Sequence, residues 1–208
     1  MPKIIPIITS APIKYAFDGL DTYDAFDLVS QGIKEAPLSE NVLEIIKNHK
    51  FSFPLKGIKI IFTAEKGQTV ETAKLFIDSG ITPNAKIVRT YLLNGINFSM
   101  RNLISKEKFV SMPQGQALSL AREAFVIELY KNNLEESLGS IISQMNSLLS
   151  LLKDQKGSVL CISHSFYIKL FEIYIKDRSR FLDVEILIDS FNPEHKPYEP
   201  LSGFILEI

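Results

Sequence analysis

The chain has three histidines. One of them, His164, follows the apolar run VLCIS (159–163) and precedes the helical pattern SFYIKLF (165–171). Backbone N–H groups at such a strand-to-helix junction favour anions. A histidine there is placed to act as an anion ligand, a general base or a nucleophile. A second candidate is Ser10, just after the apolar run IIPIIT at 4–9. Facing His164, it would form a serine–histidine dyad with His164 as base, although the sequence marks neither an orienting carboxylate nor an oxyanion hole. The plain alternative is a hydrogen-bonded structural histidine, since a lone titratable group is a weak sign of a site.

Asp18, Asp21, Asp24 and Asp27 recur at every third position. Calcium loops need acids at every second position, a glycine turn and a closing glutamate, so no metal is expected here. The interleaved Phe17, Tyr23 and Phe26 point to a loop that packs its aromatics inward and leaves its acids in water. Lys14 and Lys66 are loop cations that could meet an anion, although a loop lysine is usually just solvated. His49 and His195 have no companion at ligand spacing and read as structural or surface residues. Cys161, the single cysteine, lies mid-strand and reads as a buried, inert thiol.

The 23 basic and 24 acidic residues nearly cancel, which argues against a nucleic-acid tail or a polybasic membrane patch. No apolar segment approaches the roughly 20 residues of a membrane span. The opening MPKIIPIITSAP is too short an apolar run for a secretory signal. The expectation is a soluble, cytoplasmic protein, with one domain over residues 1–208.

Apolar runs predict strands at 3–9, 57–64, 85–93 and 158–163. Periodic patterns predict helices at 38–50 (with Ser39 as N-cap), 67–80, 116–131, 134–153 and 165–177. The fourth of these carries a stripe of Leu134, Leu138, Ile141, Met145, Leu148 and Leu152. Two late strands are expected at 182–188 and 203–208, with a proline-punctuated loop at 192–200 between them. Residues 10–37 read as a long irregular stretch, a length that is usually functional or mobile. Alternating strands and helices predict an α/β fold with a largely parallel sheet. In such folds ligands sit beyond the carboxyl ends of strands, so the loops after Ile8, Phe62 and Ser163 are the candidates.

Those loops carry a resemblance. FTAEKGQTVETAKLF (62–76) is similar to the SSPLxRTxxTA segment of the histidine phosphatase (phosphoglycerate mutase-like) superfamily, with Thr69, Thr72 and Ala73 on its threonines and alanine. PLSENVLEII (37–46) resembles its PLTxxGxxQA helix start, and MPQGQALSLAREAF (112–125) its PxGES stretch, with Arg122 at the arginine. VLCISHS (159–165) resembles the turn that carries its second histidine, which makes His164 that residue. The resemblance implies a three-layer α/β/α sandwich, a mainly parallel central sheet and phosphoryl transfer through a phosphohistidine.

The catalytic set does not carry over. Thr9, Ser10 and Ala11 stand where the family has R-H-G, Gln68 where it has a phosphate-binding arginine, and Gly95 where it has the proton-donating glutamate. Gln116 replaces the glutamate of PxGES, and Ser165 the glycine after the second histidine. Arg122 reads as a structural arginine, pairing with a carboxylate or a carbonyl. Arginine suits phosphate because its planar fork stays charged and binds two oxygens at once. Each hydrogen bond to a charged group contributes about 1.5–3 kcal/mol, so losing two arginines and a histidine removes several kcal/mol of dianion binding.

The expected function is a pseudoenzyme with a binding or regulatory role. Its ligand would be a small anion, or a protein partner, at the ancestral pocket positions Thr9, Ser10, Gln68, Gly95, His164 and Ser165. The alternative is an altered phosphatase or other hydrolase using His164, with Ser10. No cofactor and no metal are expected. The acidic, aromatic stretch near the pocket would discourage phosphate or receive a partner.

Overall fold

The computed structural model describes residues 3–14, 16–65, 67–131, 134–190 and 198–208. In chain order the elements are β1 (Ile4–Thr9), α1 (Thr22–Ser30), α2 (Val42–Asn48), β2 (Ile60–Thr63), α3 (Gly67–Asp78) and β3 (Lys86–Arg89). After two short 3-10 turns, Tyr91–Leu93 and Met100–Asn102, come α4 (Lys106–Val110), α5 (Gln114–Lys131), α6 (Leu134–Asp154) and β4 (Val159–Ser163). Then follow α7 (Ser165–Lys176), α8 (Arg178–Phe181), α9 (Val184–Ser190) and β5 (Gly203–Glu207). No helix among the described residues is long and apolar enough to cross a membrane.

The strands form one sheet in the order β3-β2-β4-β1-β5. Four are parallel, with Ile7 opposite Cys161 and Phe62 also opposite Cys161, while β5 runs antiparallel to β1. Side chains on a strand alternate between the two faces. Ile5, Ile7, Phe62, Val159 and Cys161 therefore enter one core with α6 and α7. Ile8, Ile61, Leu160 and Ile162 enter the other, with α2 and α3. Burial on both faces is why these strands read as continuous apolar runs. The result is the expected α/β/α layering.

Pro6 sits in an interior strand, where a missing donor ought to cost a ladder bond. Its register resolves the difficulty. Lys3 and Ile208 exchange backbone bonds of 2.7 and 3.0 Å, and antiparallel pairs alternate between bonded and non-bonded. Pro6 and Ile205 therefore form a non-bonded pair, and the parallel pairing with β4 begins one residue later, at Ile7.

Four expectations need correction. The stretch 182–188 is not a strand but enters α9, because the Asp183 side chain accepts from the N–H groups of Glu185 and Ile186 at 3.0 and 3.2 Å. Leu187 is then buried in the first core, and α9 packs on α5. The stretch 10–37 is not wholly irregular, since Asp21 accepts from the N–H of Asp24 and starts α1. The third strand stops at Arg89, because the Thr90 hydroxyl accepts from the N–H of Leu92 and begins a 3-10 turn. α2 starts after Asn41, and Ser39 is not its N-cap. In the α6 stripe, Ile141, Met145, Leu148 and Leu152 are buried, whereas the side chains of Leu134 and Leu138 lie outside the description. Most of the loop at 192–200 and all of Lys66 and His195 also fall outside the described residues.

Candidate functional site

The carboxyl ends of the four parallel strands converge on one cavity of about 440 Å³. Thr9 ends β1 and Ser10 follows it. Gln68 is the second residue of α3, after β2. Gly95 follows the 3-10 turn after β3, His164 follows β4, and Ser165 opens α7. All six positions singled out in the sequence line this cavity.

The loops are fixed by named bonds. The Thr72 hydroxyl donates to Gln68 O at 2.7 Å and accepts from the N–H of Ala11 at 3.0 Å, which ties the loop after β1 to α3. The Thr9 hydroxyl donates to Glu199 O at 2.8 Å, and Ser10 N–H to Ser163 O at 3.0 Å. The Ser163 hydroxyl donates to Leu93 O (2.6 Å) and the Tyr167 hydroxyl to Leu92 O (2.8 Å), clamping the segment that leads to Gly95. The close approach there favours a glycine. A Cβ at position 95 would come within 3.1 Å of His164 Cδ2 and 3.3 Å of Cγ.

Gln68 Nε2 and His164 Nδ1 are 2.7 Å apart. With the amide nitrogen donating, Nδ1 accepts, and a neutral imidazole carries its proton on Nε2. The one lone pair with which the ring could take a proton is then engaged by Gln68. Arg122 Nη2 donates to the Ser165 hydroxyl at 3.2 Å.

Of the candidate cations, Lys14 pairs with Glu40 at 2.7 Å and does not line the cavity. Lys34, which the sequence reading missed, does line it and pairs with Asp18 at 2.8 Å. His49 follows α2 and packs against Phe51, with ring centroids 4.6 Å apart. The aspartates are not uniformly solvated. Asp27 is buried; it accepts from Gln31 Nε2 (2.8 Å), the Ser99 hydroxyl (3.2 Å) and Arg101 N–H (3.2 Å), and pairs with Arg101 Nε at 2.8 Å. Asp24 pairs with Arg101 and Lys106, and Asp21 with Lys106. No cluster able to hold a metal occurs among the described residues. Cys161 is buried as expected, and burial pushes its thiol pKa far up.

The cavity walls were missed at the sequence level. They come largely from Phe26 and Val29 of α1, from Ile96 and Phe98, and from Ala121 and Phe166. The spacing of Tyr23, Phe26, Val29 and Ser30 after a capping Asp21 was the available sign of a helix with one face toward a pocket.

No family model and no curated protein matches the chain. Among solved structures it is similar to phosphoglycerate mutase from Bacillus anthracis str. Sterne: 15% identity over 86% of this chain and 82% of that one, TM-score 0.45. It is also similar to phosphoglycerate mutase from Plasmodium falciparum, at 14% identity over 87% and 80%, TM-score 0.40. A third similar structure is a phosphoserine phosphatase mutant from Entamoeba histolytica in complex with phosphoserine, at 14% identity over 84% and 85%, TM-score 0.39. These figures describe a distant likeness; the layered α/β architecture rests on the sheet itself.

Proposed function

We propose that this chain is a binding domain built on a histidine-phosphatase-like frame, without phosphoryl transfer. The observation that carries the reading is the Gln68–His164 bond of 2.7 Å. A neutral amide stands where the family pattern has an arginine, and in the tautomer in which Nδ1 accepts it engages the lone pair with which that ring would act as a base. Transfer of a phosphoryl group depends on positioning and on charge opposite the equatorial oxygens. Around His164 the residues at the ancestral positions, Thr9, Ser10, Gln68, Gly95 and Ser165, are all uncharged.

The test is hydrolysis of a generic aryl phosphate by wild type and His164→Ala across pH about 5–8, the range in which histidine titrates. Both are expected to be equally inert. Turnover by the wild type that disappears in the variant would sink the reading. A second reading, an altered hydrolase, is favoured by one observation: Ser10 and His164 line the same cavity at adjacent strand ends. Turnover lost in both Ser10→Ala and His164→Ala would establish it.

A further inference from the structure

We propose that the cavity takes an uncharged small molecule with a largely aromatic or aliphatic body and a hydrogen-bonding group at one end, and that it rejects phosphoesters and other anions; this rests on the binding-domain reading. At about 440 Å³ the space suits a compact organic ligand. Its body would lie against Phe26 and Val29 of α1 and against Ile96, Phe98 and Phe166 on the other walls. That second wall is a built aromatic surface. Phe98 stacks on Phe125 with centroids 4.8 Å apart, and Phe166 meets the two at 5.9 and 5.6 Å. The polar groups gather at the strand ends, where Ser10, Gln68, His164 and Ser165 line the floor.

Charge argues against an anion. Among the described residues, the charged groups that line the cavity are two cations, Lys34 and Arg122, and two anions, Glu35 and Glu199. Lys34 already pairs with Asp18, and the charge of Arg122, which bonds to the neutral Ser165 hydroxyl, is outnumbered by the two lining carboxylates. The Glu35 carboxylate lies against Gly67, the first residue of α3, so closely that a Cβ at 67 would overlap its Oε2. The end of α3 that would attract a phosphate therefore already faces a carboxylate. Moving a dianion from water to an apolar wall beside that carboxylate needs more compensating charge than the described lining residues supply.

The probe is N-phenylnaphthylamine, a neutral aromatic amine whose fluorescence rises on entering an apolar site, set beside inorganic phosphate and vanadate in thermal-shift titrations. Wild type is expected to bind the probe saturably and to show no shift with either anion. Val29→Trp on α1 and Ala121→Phe on α5 fill the cavity from different elements. Each is expected to weaken probe binding about tenfold or more, with far-UV circular dichroism unchanged; two variants guard against misfolding of one. Absence of saturable probe binding to wild type, probe binding unaffected by the filling variants, or stabilisation of wild type by phosphate or vanadate would each overturn the proposal. Anion binding without turnover would overturn only the ligand class. Aryl phosphate turnover dependent on His164 would overturn the binding-domain reading itself.

Discussion

Replacing Asp27 by alanine tests how the cavity wall is held. Its side chain is 2% exposed, yet it faces a guanidinium that is 57% exposed. It links α1, which carries Phe26 and Val29, to the segment 99–101 across the cavity rim. Removing the carboxylate strands three donors: the Gln31 amide, the Ser99 hydroxyl and the Arg101 N–H. At about 1 kcal/mol each after partial rescue by water, they sum to roughly 3 kcal/mol. The Arg101 ion pair adds little, because a half-exposed guanidinium regains solvent. Alanine is the better helix former and returns a few tenths of a kcal/mol. The expected loss is about 2–4 kcal/mol, or roughly 5–15 °C in Tm for a chain of this size. Chemical and thermal denaturation measure it, with Asp24→Ala as control. Asp24 shares Arg101 but is 29% exposed, so it should cost about 1 kcal/mol or less. If Asp27→Ala stays within about 0.5 kcal/mol of wild type, near the noise of surface substitutions, the wall is not held as described.

Further predictions follow from single contacts. Gly95→Ala should fold, at a cost of about 1 kcal/mol, and should move the His164 ring resonances in NMR spectra; unchanged resonances would contradict the close approach. Gly203→Ala drives a Cβ into the backbone of Ile7 and Ile8, so β5 should lose protection in hydrogen exchange, and native-like protection would refute the register. For Glu172, burial works to raise the carboxyl pKa, but hydrogen bonds from Lys176 and Tyr198 and the charge of Lys169 outweigh it and hold it below its ordinary value. The stability it contributes is therefore complete above the unfolded carboxylate pKa of about 4.3. It is lost as pH falls through the lower folded value. Glu172→Gln should flatten that acid limb, and an unchanged limb would count against the interaction. Cys161 should resist a thiol reagent in the native state and react on unfolding, and fast native labelling would place the thiol outside the core.

The strands were legible because burial on both faces leaves a continuous apolar run, as in VLCIS. The convergence of Thr9, Gln68, Gly95 and His164 was legible for a related reason: parallel strands deliver their carboxyl ends to one edge. Alternation misled at 182–188, where Leu182, Val184, Ile186 and Ile188 satisfy a strand pattern. The Asp183 cap and the burial of Leu187 favour a helix, and a two-residue period cannot register a cap. The depth and apolar character of the cavity were not legible, because its walls come from 26–30 and 96–98, stretches joined only by tertiary contacts such as those of Asp27. The burial of Asp27 itself was hidden, since an aspartate at every third position looks like a solvated face until Arg101 is placed beside it.

The position of β1 also sets an order of assembly. β2, α3 and β3 are contiguous and can close on short loops, whereas Ile7 has partners, Cys161 and Phe204, that come only in the last quarter of the chain. Such non-local pairing bears the loop-closure entropy before any contact repays it, and it slows folding. Seating β1 between β4 and β5 is thus the expected late event. Until then IIPIIT is an exposed apolar segment with strand propensity, a type prone to pair with other chains. Pro6, which has no N–H to give to a ladder and sits where the native register does not need one, cannot donate to a stray neighbour either, the property of a gatekeeper residue against aggregation.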